Sequence, residues 1–425
     1  MFPLANIKFI YISCTLFAGN LTLFYIITLH RCSIILIVCN FSTISFLVSL
    51  NFYIFAQKIL TFNLKRMTIN HNYKFCNLIF AGLLLTMFFA LSSCSNDDST
   101  ADVGITSNPY DNLKPIGFGE KTTGGNNQNI TIVTTAEQLA EAVSGTNPAT
   151  IYVQGNISLN KMLAVGSNKS IIGLSGATIS NLNRNDDAGI FLLKGSNNVI
   201  IGNLTLLGPG AYDIDANYSD NISLVGAKNV WVDHCDIQDG IDGNFDIVEG
   251  SDSICVSWTR FHYLIAPKEG GSGGSSDHRN SNKSADLDEG HLNCTFICCW
   301  WGEGCSERCP RVRFGKVHVA NCLYDGNDYN YCIGYGVYSN IYVEKCAFVS
   351  EAAKEKAIKD WHNGVDHNIK LTGCLGVDDI ELSLGNRGQF VPTYDYKIFD
   401  ASMGESKLKD SDNGAGATLL ISLKK

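Results

Sequence analysis

The 425-residue chain has no excess of basic charge: 32 lysines and arginines stand against 41 aspartates and glutamates, for a formal net charge of −9. A general nucleic-acid binder needs a basic face to collect phosphates, so that class is excluded. After Cys94 no Pro/Ser linker and no block of like charge interrupts the chain, which reads as one domain. Asn-Gly hairpin signals, expected about every 8 to 12 residues in a β-sandwich, are scarce. The stretch CCWWGEGCSERC, residues 298–309, has four cysteines but no CxxC pair, so buried thiols or one disulfide fit it better than zinc. GGSGG, residues 270–274, has no strand and helix around it to make a phosphate loop, and reads as a mobile rim of a cleft. No pair of carboxylates stands in a motif suited to acid/base hydrolysis.

What remains is apolar and rich in glycine: 45% apolar residues and 40 glycines exclude a disordered or collagen-like chain. Residues 1–66 are apolar nearly throughout, long enough to cross a bilayer. Residues 67–94 then repeat an export pattern, with Lys74, the run NLIFAGLLLTMFFA, and LSSC ending at Cys94. This has the form of a bacterial lipoprotein signal in which Cys94 is acylated. Two such segments in series point to a true start at Met67, with residues 1–66 an overextended gene start; a genuine membrane anchor is the other reading. The expected location is the outer membrane or cell surface of a Gram-negative bacterium, or the medium. Residues 95–128 read as a tether and lead-in. Eleven cysteines follow Cys94, so at least one is a free thiol.

From residue 129 to 425 the pattern is that of a solenoid. TTAEQLAEAVSG predicts a short capping helix with a capping box from Thr134 to Glu137, and everything beyond it reads as β. Short apolar runs begin at Asn198, Asn229, Ser253, Lys316, Asn340 and Asn368, about 24 to 31 residues apart where neighbours are adjacent. In a parallel β-helix, side chains at equivalent positions of successive coils stack into interior ladders. Cys235, Cys322, Cys346 and Cys374 follow strand cores at similar places, which predicts a stack of small buried thiols.

Two stretches carry chemistry. Asp242 and Asp246 flank a glycine-containing turn, with Asp220 upstream; such oxygens from adjacent coils suit Ca2+, while Asp in turns also commonly caps backbone N–H groups. In GCSERCPRVRFGKVHV, Arg308, Arg311 and Arg313 fall within six positions of an acidic chain. Alternation in RVRFGKVHV puts Arg311 and Arg313 on one face and Val312 and Phe314 on the other, with Pro310 at the turn before them.

The segments IYVQGNISL, NVIIGNLTL, NVWVDHC, DGNFDI, VSWTRF and CWWGEGCSERCPRVRFGKVHV resemble the pectate lyase family of polysaccharide lyases, from about Asn129 to the end. The resemblance implies an all-β, right-handed parallel β-helix with surface loops forming a cleft, and calcium-dependent β-elimination on polygalacturonate. It assigns Asp220, Asp242 and Asp246 as calcium ligands, Arg308 as the base, and Arg313 to a substrate carboxylate, with Arg311 beside them. Cations crowded about Arg308 would lower its pKa, and activity would rise at alkaline pH; the alternative role for Arg308 is substrate binding alone. Trp231, Asp233 and His234 of WVDH are expected to be structural, beside the calcium cleft. Where many relatives carry a segment of the type LIGGSD, this chain reads NKSADL, leaving Lys283 and Arg279 as candidates for a basic substrate contact. Alternatives are a pectin lyase acting on methyl-esterified chains, against which the three aspartates speak, and a catalytically impaired β-helix that binds pectin. A monomer, with no nucleic-acid partner and membrane contact only through the lipid anchor, is expected.

Overall fold

A computed structural model of the chain describes residues 105–211, 219–266 and 285–423, together with three strands nearer the N-terminus. Those three, Lys8–Ser13, Leu23–Leu29 and Cys32–Val38, form an antiparallel sheet in a unit of their own, Met1–Asp97. Among the described residues no helix is long and apolar enough to cross a membrane. The signal-like segment 67–94, with Cys94, lies outside the described residues.

The second unit, Asp98–Lys425, is a right-handed parallel β-helix of about nine turns. Each full coil visits three sheets. The longest has eleven strands, from Thr131–Val133 to Ile380–Leu384, parallel except for the final pair. The second has eight, from Asn156–Ser158 to Ala347–Phe348. The third is in two pieces: Leu163–Ala164, Phe191–Lys194, Ile222–Val225 and Phe245–Val248, then Arg311–Val312, Ile333–Gly336 and Ile358–Trp361.

Strand register turns the sequence repeats into ladders. In the second sheet Ile157, Ile179, Leu206, Ile237, Phe261, Trp301, Tyr324 and Phe348 stand in line, all buried. Their rings stack: Phe261 on Trp301 at 5.5 Å, Trp301 on Tyr324 at 5.1 Å, and Tyr324 on Phe348 at 4.5 Å between centroids. Such stacks contribute beyond their buried area.

The corner between the long and second sheets is equally regular. Asn203, His234, Trp258, Cys298, Asn321, Lys345 and Gly373 each follow a long-sheet strand with positive φ, between 45° and 60°. One left-handed residue per coil bends the chain without a long loop. Cys235, Cys299, Cys322, Cys346 and Cys374 come next, where the chain turns inward, so the expected thiol ladder exists and includes Cys299. All eleven cysteines after Cys94 are unbridged, ten of them buried. No group of three or more His, Cys, Asp or Glu side chains among the described residues could hold a metal ion, CCWWGEGCSERC included.

Several local expectations shift. The capping helix is Ala136–Val143, capped by Thr135 rather than Thr134: Thr135 Oγ1 accepts from Gln138 N at 3.3 Å, and Gln138 Oε1 accepts from Thr134 N at 2.9 Å. Gln138 can serve both contacts because its amide reaches back over the first turn, so the box sits one residue later than Glu137 implied. The rest is not all strand, since Ala285–Asp288, Glu351–Glu355 and Gly404–Leu408 are short helices. The lead-in is no mere tether from residue 108 onward. It lies against the long sheet, with Thr123 N and Gly124 N donating to Asn198 Oδ1 at 2.7 and 2.8 Å, and Phe118 N to Thr295 Oγ1 at 3.2 Å.

Candidate active site

The candidate residues gather on the third sheet, at the break between its two pieces. Phe245 and Ile247 point into the core, so alternation turns Asp246 outward, in register with Ser223 of the preceding coil. Asp220 precedes the Ile222–Val225 strand and is 2% exposed; Asp246 is 8% exposed. Asp242 lies in the turn leading into its strand and is more open. Burying carboxylates this deeply is costly unless charge or hydrogen bonds answer them.

Arg308 supplies such charge from the far side of the break. It is 6% exposed, with φ +59°, and its Nη2 donates to Asp242 Oδ1 at 3.2 Å. Its Nε faces Glu307 Oε1 at 3.4 Å. The expected crowding of Arg308 by cations is therefore corrected in part: two carboxylates stand against it, and carboxylates favour the charged guanidinium. Tyr263 belongs to the same cluster. Burial first, then Asp220 and the Cys305 thiol, push its phenol well above the usual value, against an opposing pull from Arg308. No residue pattern marks Tyr263 in the sequence, because FHYLI reads as an ordinary apolar run.

Arg311 and Arg313 share a face, and Val312 and Phe314 are buried, as alternation predicts. RVRFGKVHV is nevertheless not one strand: Arg311–Val312 belongs to the third sheet and Lys316–Ala320 to the long sheet, with Phe314 at φ +61° between them. The left-handed residue makes the corner of the coil, so the alternation runs through a bend. The bond before Pro310 is cis.

Among the described residues no strand joins Phe245–Val248 to Arg311–Val312; residues 267–284, between them, lie outside the described residues. Arg279, Lys283 and GGSGG lie outside the described residues. WVDH is not beside this cleft. Trp231 and Asp233 belong to the long-sheet strand Lys228–Asp233, and the motif serves as a fastening there. Trp231 Nε1 donates to Ser257 Oγ at 2.8 Å, Ser257 Oγ donates to Asp233, and His234 Nδ1 meets Asp233 Oδ2 at 2.6 Å. Tyr110 of the lead-in packs edge-on against Trp231 and donates to Asp233 O at 3.1 Å.

The donor chemistry of Asp220, Asp242 and Asp246, three hard carboxylate oxygen sources on adjacent coils, fits a divalent cation such as calcium. No three such side chains converge tightly enough among the described residues to enclose one, and Arg308 holds Asp242 instead. Comparison with known proteins gives the fold a family: a family described as pectate lyase matches residues 114–417, and the chain belongs to it. Its members are polysaccharide lyases.

Among similar proteins, a pectate lyase of Emericella nidulans is 32% identical over 293 residues, covering 65% of this chain and 78% of that protein. A pectate trisaccharide-lyase of Thermotoga maritima is 30% identical over 231 residues, covering 50% of this chain and 58% of the relative. In fold the chain resembles a thermostable pectate lyase (TM-score 0.59, 23% identity, 74% of this chain and 98% of the other). It also resembles a pectate lyase bound to a hexasaccharide (TM-score 0.59, 20% identity, 72% and 98%).

Proposed function

We propose that the chain cleaves α-1,4-linked polygalacturonate by calcium-dependent β-elimination, leaving 4,5-unsaturated oligogalacturonides. The observation that carries this reading is the contact of Arg308 with Asp242 across the break, beside buried Asp220 and Asp246. In polygalacturonate the C5 proton lies next to a carboxylate, and its removal adds charge to an anion. Charge fixed in advance where it develops is the dominant form of catalytic stabilisation. Asp220, Asp246 and, once released from Arg308, Asp242 would hold a calcium ion, which would supply neutralisation of that carboxylate.

This chain's residues supply the remainder. Arg313 and Arg311 bind and orient substrate carboxylates from the outward face of the third sheet. Arg308 receives the C5 proton, the C5–H electrons form the C4–C5 double bond, and the C4–O bond breaks with its electrons to the leaving sugar oxygen, which is protonated from water. Carboxylates beside it favour the charged guanidinium, which cannot accept a proton, so this role requires Asp242 to be drawn away as the site fills and Arg308 first to release a proton to water. Lys283 and Arg279 are the candidates for a further basic contact. The reading also takes residues 67–94 as an export signal, with Cys94 as lipid attachment point.

A second reading, a pectin-binding β-helix with impaired catalysis, is favoured by the carboxylates of Asp242 and Glu307 against Arg308, which favour its charged form over a proton-accepting one. One experiment separates the two: ultraviolet absorbance of unsaturated uronate during incubation with polygalacturonate, with and without Ca2+, for the native chain and Arg308→Ala. Signal growth only with calcium, reduced at least about 100-fold in the variant, is expected. A folded protein that binds polygalacturonate and yields no signal would establish the second reading.

A further inference from the structure

The outward face of the third sheet continues past the arginines. We infer that Lys359 and Trp361, with Arg311, form an additional subsite for one uronate unit of the bound polymer, two strands beyond Arg311; the ligand class rests on the function proposed above. Register places Arg311, Gly334 and Lys359 in one row across three successive strands, and Gly336 beside Trp361 in a neighbouring row. Two strand spacings put Lys359 about 10 Å along the helix axis from Arg311, in the direction an extended polymer crossing the strands would follow.

The strand between them is IGYG, with glycine at both outward positions. A Cβ at Gly334 would stand 3.0 Å from Arg311 Cγ and from Tyr331 Cε2, and 3.1 Å from Trp361 Cδ1. A Cβ at Gly336 would stand 3.0 Å from Arg313 Cγ. The glycines thus let Arg311, Tyr331 and Trp361 close directly over bare, buried backbone, which brings the arginine and the indole together on the outward face.

This group of side chains has a chemistry suited to a uronate. The Arg311 guanidinium lies 5.5 Å from the Trp361 ring centre, and Lys359 Nζ lies 4.9 Å from Trp361 and 5.4 Å from Tyr331. For Lys359, exposed at its end, a ring face orients the ammonium without neutralising it, so this charge can meet an incoming carboxylate. Lys359 is exposed and Trp361 half-buried, so both are within reach of a ligand. Asp360, which would repel an anion, is on the opposite face of the strand, 2.9 Å from His362 Nε2. A galacturonate unit offers a carboxylate and an apolar C–H face together, and this pair of side chains matches both.

The test uses the full chain carrying Arg308→Ala, so that oligomers are bound and not cut, and compares it with the same protein carrying Trp361→Ala or Lys359→Gln. Affinities for tri- and hexagalacturonate are measured by calorimetry in Ca2+. The expected result is that both substitutions reduce the hexamer-to-trimer affinity ratio by about tenfold, the order expected for one charge-assisted contact. Lys359→Gln alters only an exposed side chain, so it reports even if Trp361→Ala disturbs the last coil. A ratio within twofold of the parent in both variants would overturn the subsite and leave the lyase reading intact. A reduced ratio in a protein whose native form releases no unsaturated product would uphold the subsite and overturn the lyase. No binding of hexagalacturonate by the parent would overturn the subsite.

Discussion

Asp242 faces two competing claims. It accepts from Arg308 at 3.2 Å, and it is one of three carboxylates whose oxygens suit a calcium ion. In sequence, Asp242 is visible only as half of a pair spaced around a glycine turn; its contact with a residue 66 positions away depends on the coils coming together. Replacing Asp242 by Asn keeps its shape and removes its charge. The expected outcome is at least a tenfold rise in the Ca2+ concentration giving half-maximal lyase rate, read by titrating calcium in the absorbance assay. An unchanged calcium requirement would remove Asp242 from the ligand set. Tyr263 shows the opposite case, a residue in the cluster that no motif announced, because position in a folded coil and not local spacing brings it to Asp220 and Arg308.

At the scale of elements, the corner ladder does more than bend the chain. Asn203, at φ +53°, donates through Nδ2 to Gly173 O at 2.9 Å and Leu419 O at 3.0 Å, and accepts from Leu419 N at 2.9 Å. It therefore ties one coil to its predecessor and to the C-terminal segment. Asn203→Ala loses these bonds while keeping a strained backbone, and is expected to cost about 2 kcal/mol, seen as a lowered midpoint in thermal unfolding. A midpoint shift indistinguishable from zero would mean that the backbone alone holds the corner. The strand runs at Asn198, Asn229 and Ser253 were legible because each coil repeats them. The corner residues were not, because Asn, His, Trp, Cys and Lys all occupy the same backbone position, and a shared φ leaves no shared side chain to read.

Over the whole molecule, the two ends of the second unit lie along the long sheet and meet there: Ser422–Leu423 pairs with Ile105–Ser107. The C-terminal segment fastens to buried polar groups. Tyr394 Oη lies 2.8 Å from His318 Nδ1, His318 Nε2 lies 2.9 Å from Glu344 Oε1, and Tyr396 donates to Glu344 at 2.6 Å. Burial by itself would raise the Glu344 carboxyl, but the hydrogen bonds from His318 and Tyr396 outweigh it and hold the group below its ordinary value. A carboxyl lowered in the folded state stabilises above its unfolded pKa, and that contribution is lost as pH falls through the folded pKa. Thermal midpoints of the native chain are expected to fall below about pH 4.5, and Glu344→Gln is expected to reduce that fall. Equal acid sensitivity in the two proteins would show that the fastening does not depend on this charge.

The repeat of strand starts, the odd cysteine count and the arginine cluster followed from the sequence because they are local or periodic: a solenoid writes its fold once per coil, and ladders need only equivalent positions. The pairing of Arg308 with Asp242, the place of WVDH on the long sheet, and the grouping of Arg311, Lys359 and Trp361 on one face were decided only by the tertiary structure. These depend on register between coils and on which of three sheets a strand joins. That choice is made by corners such as Phe314, whose left-handed backbone carries no sequence signature of its own.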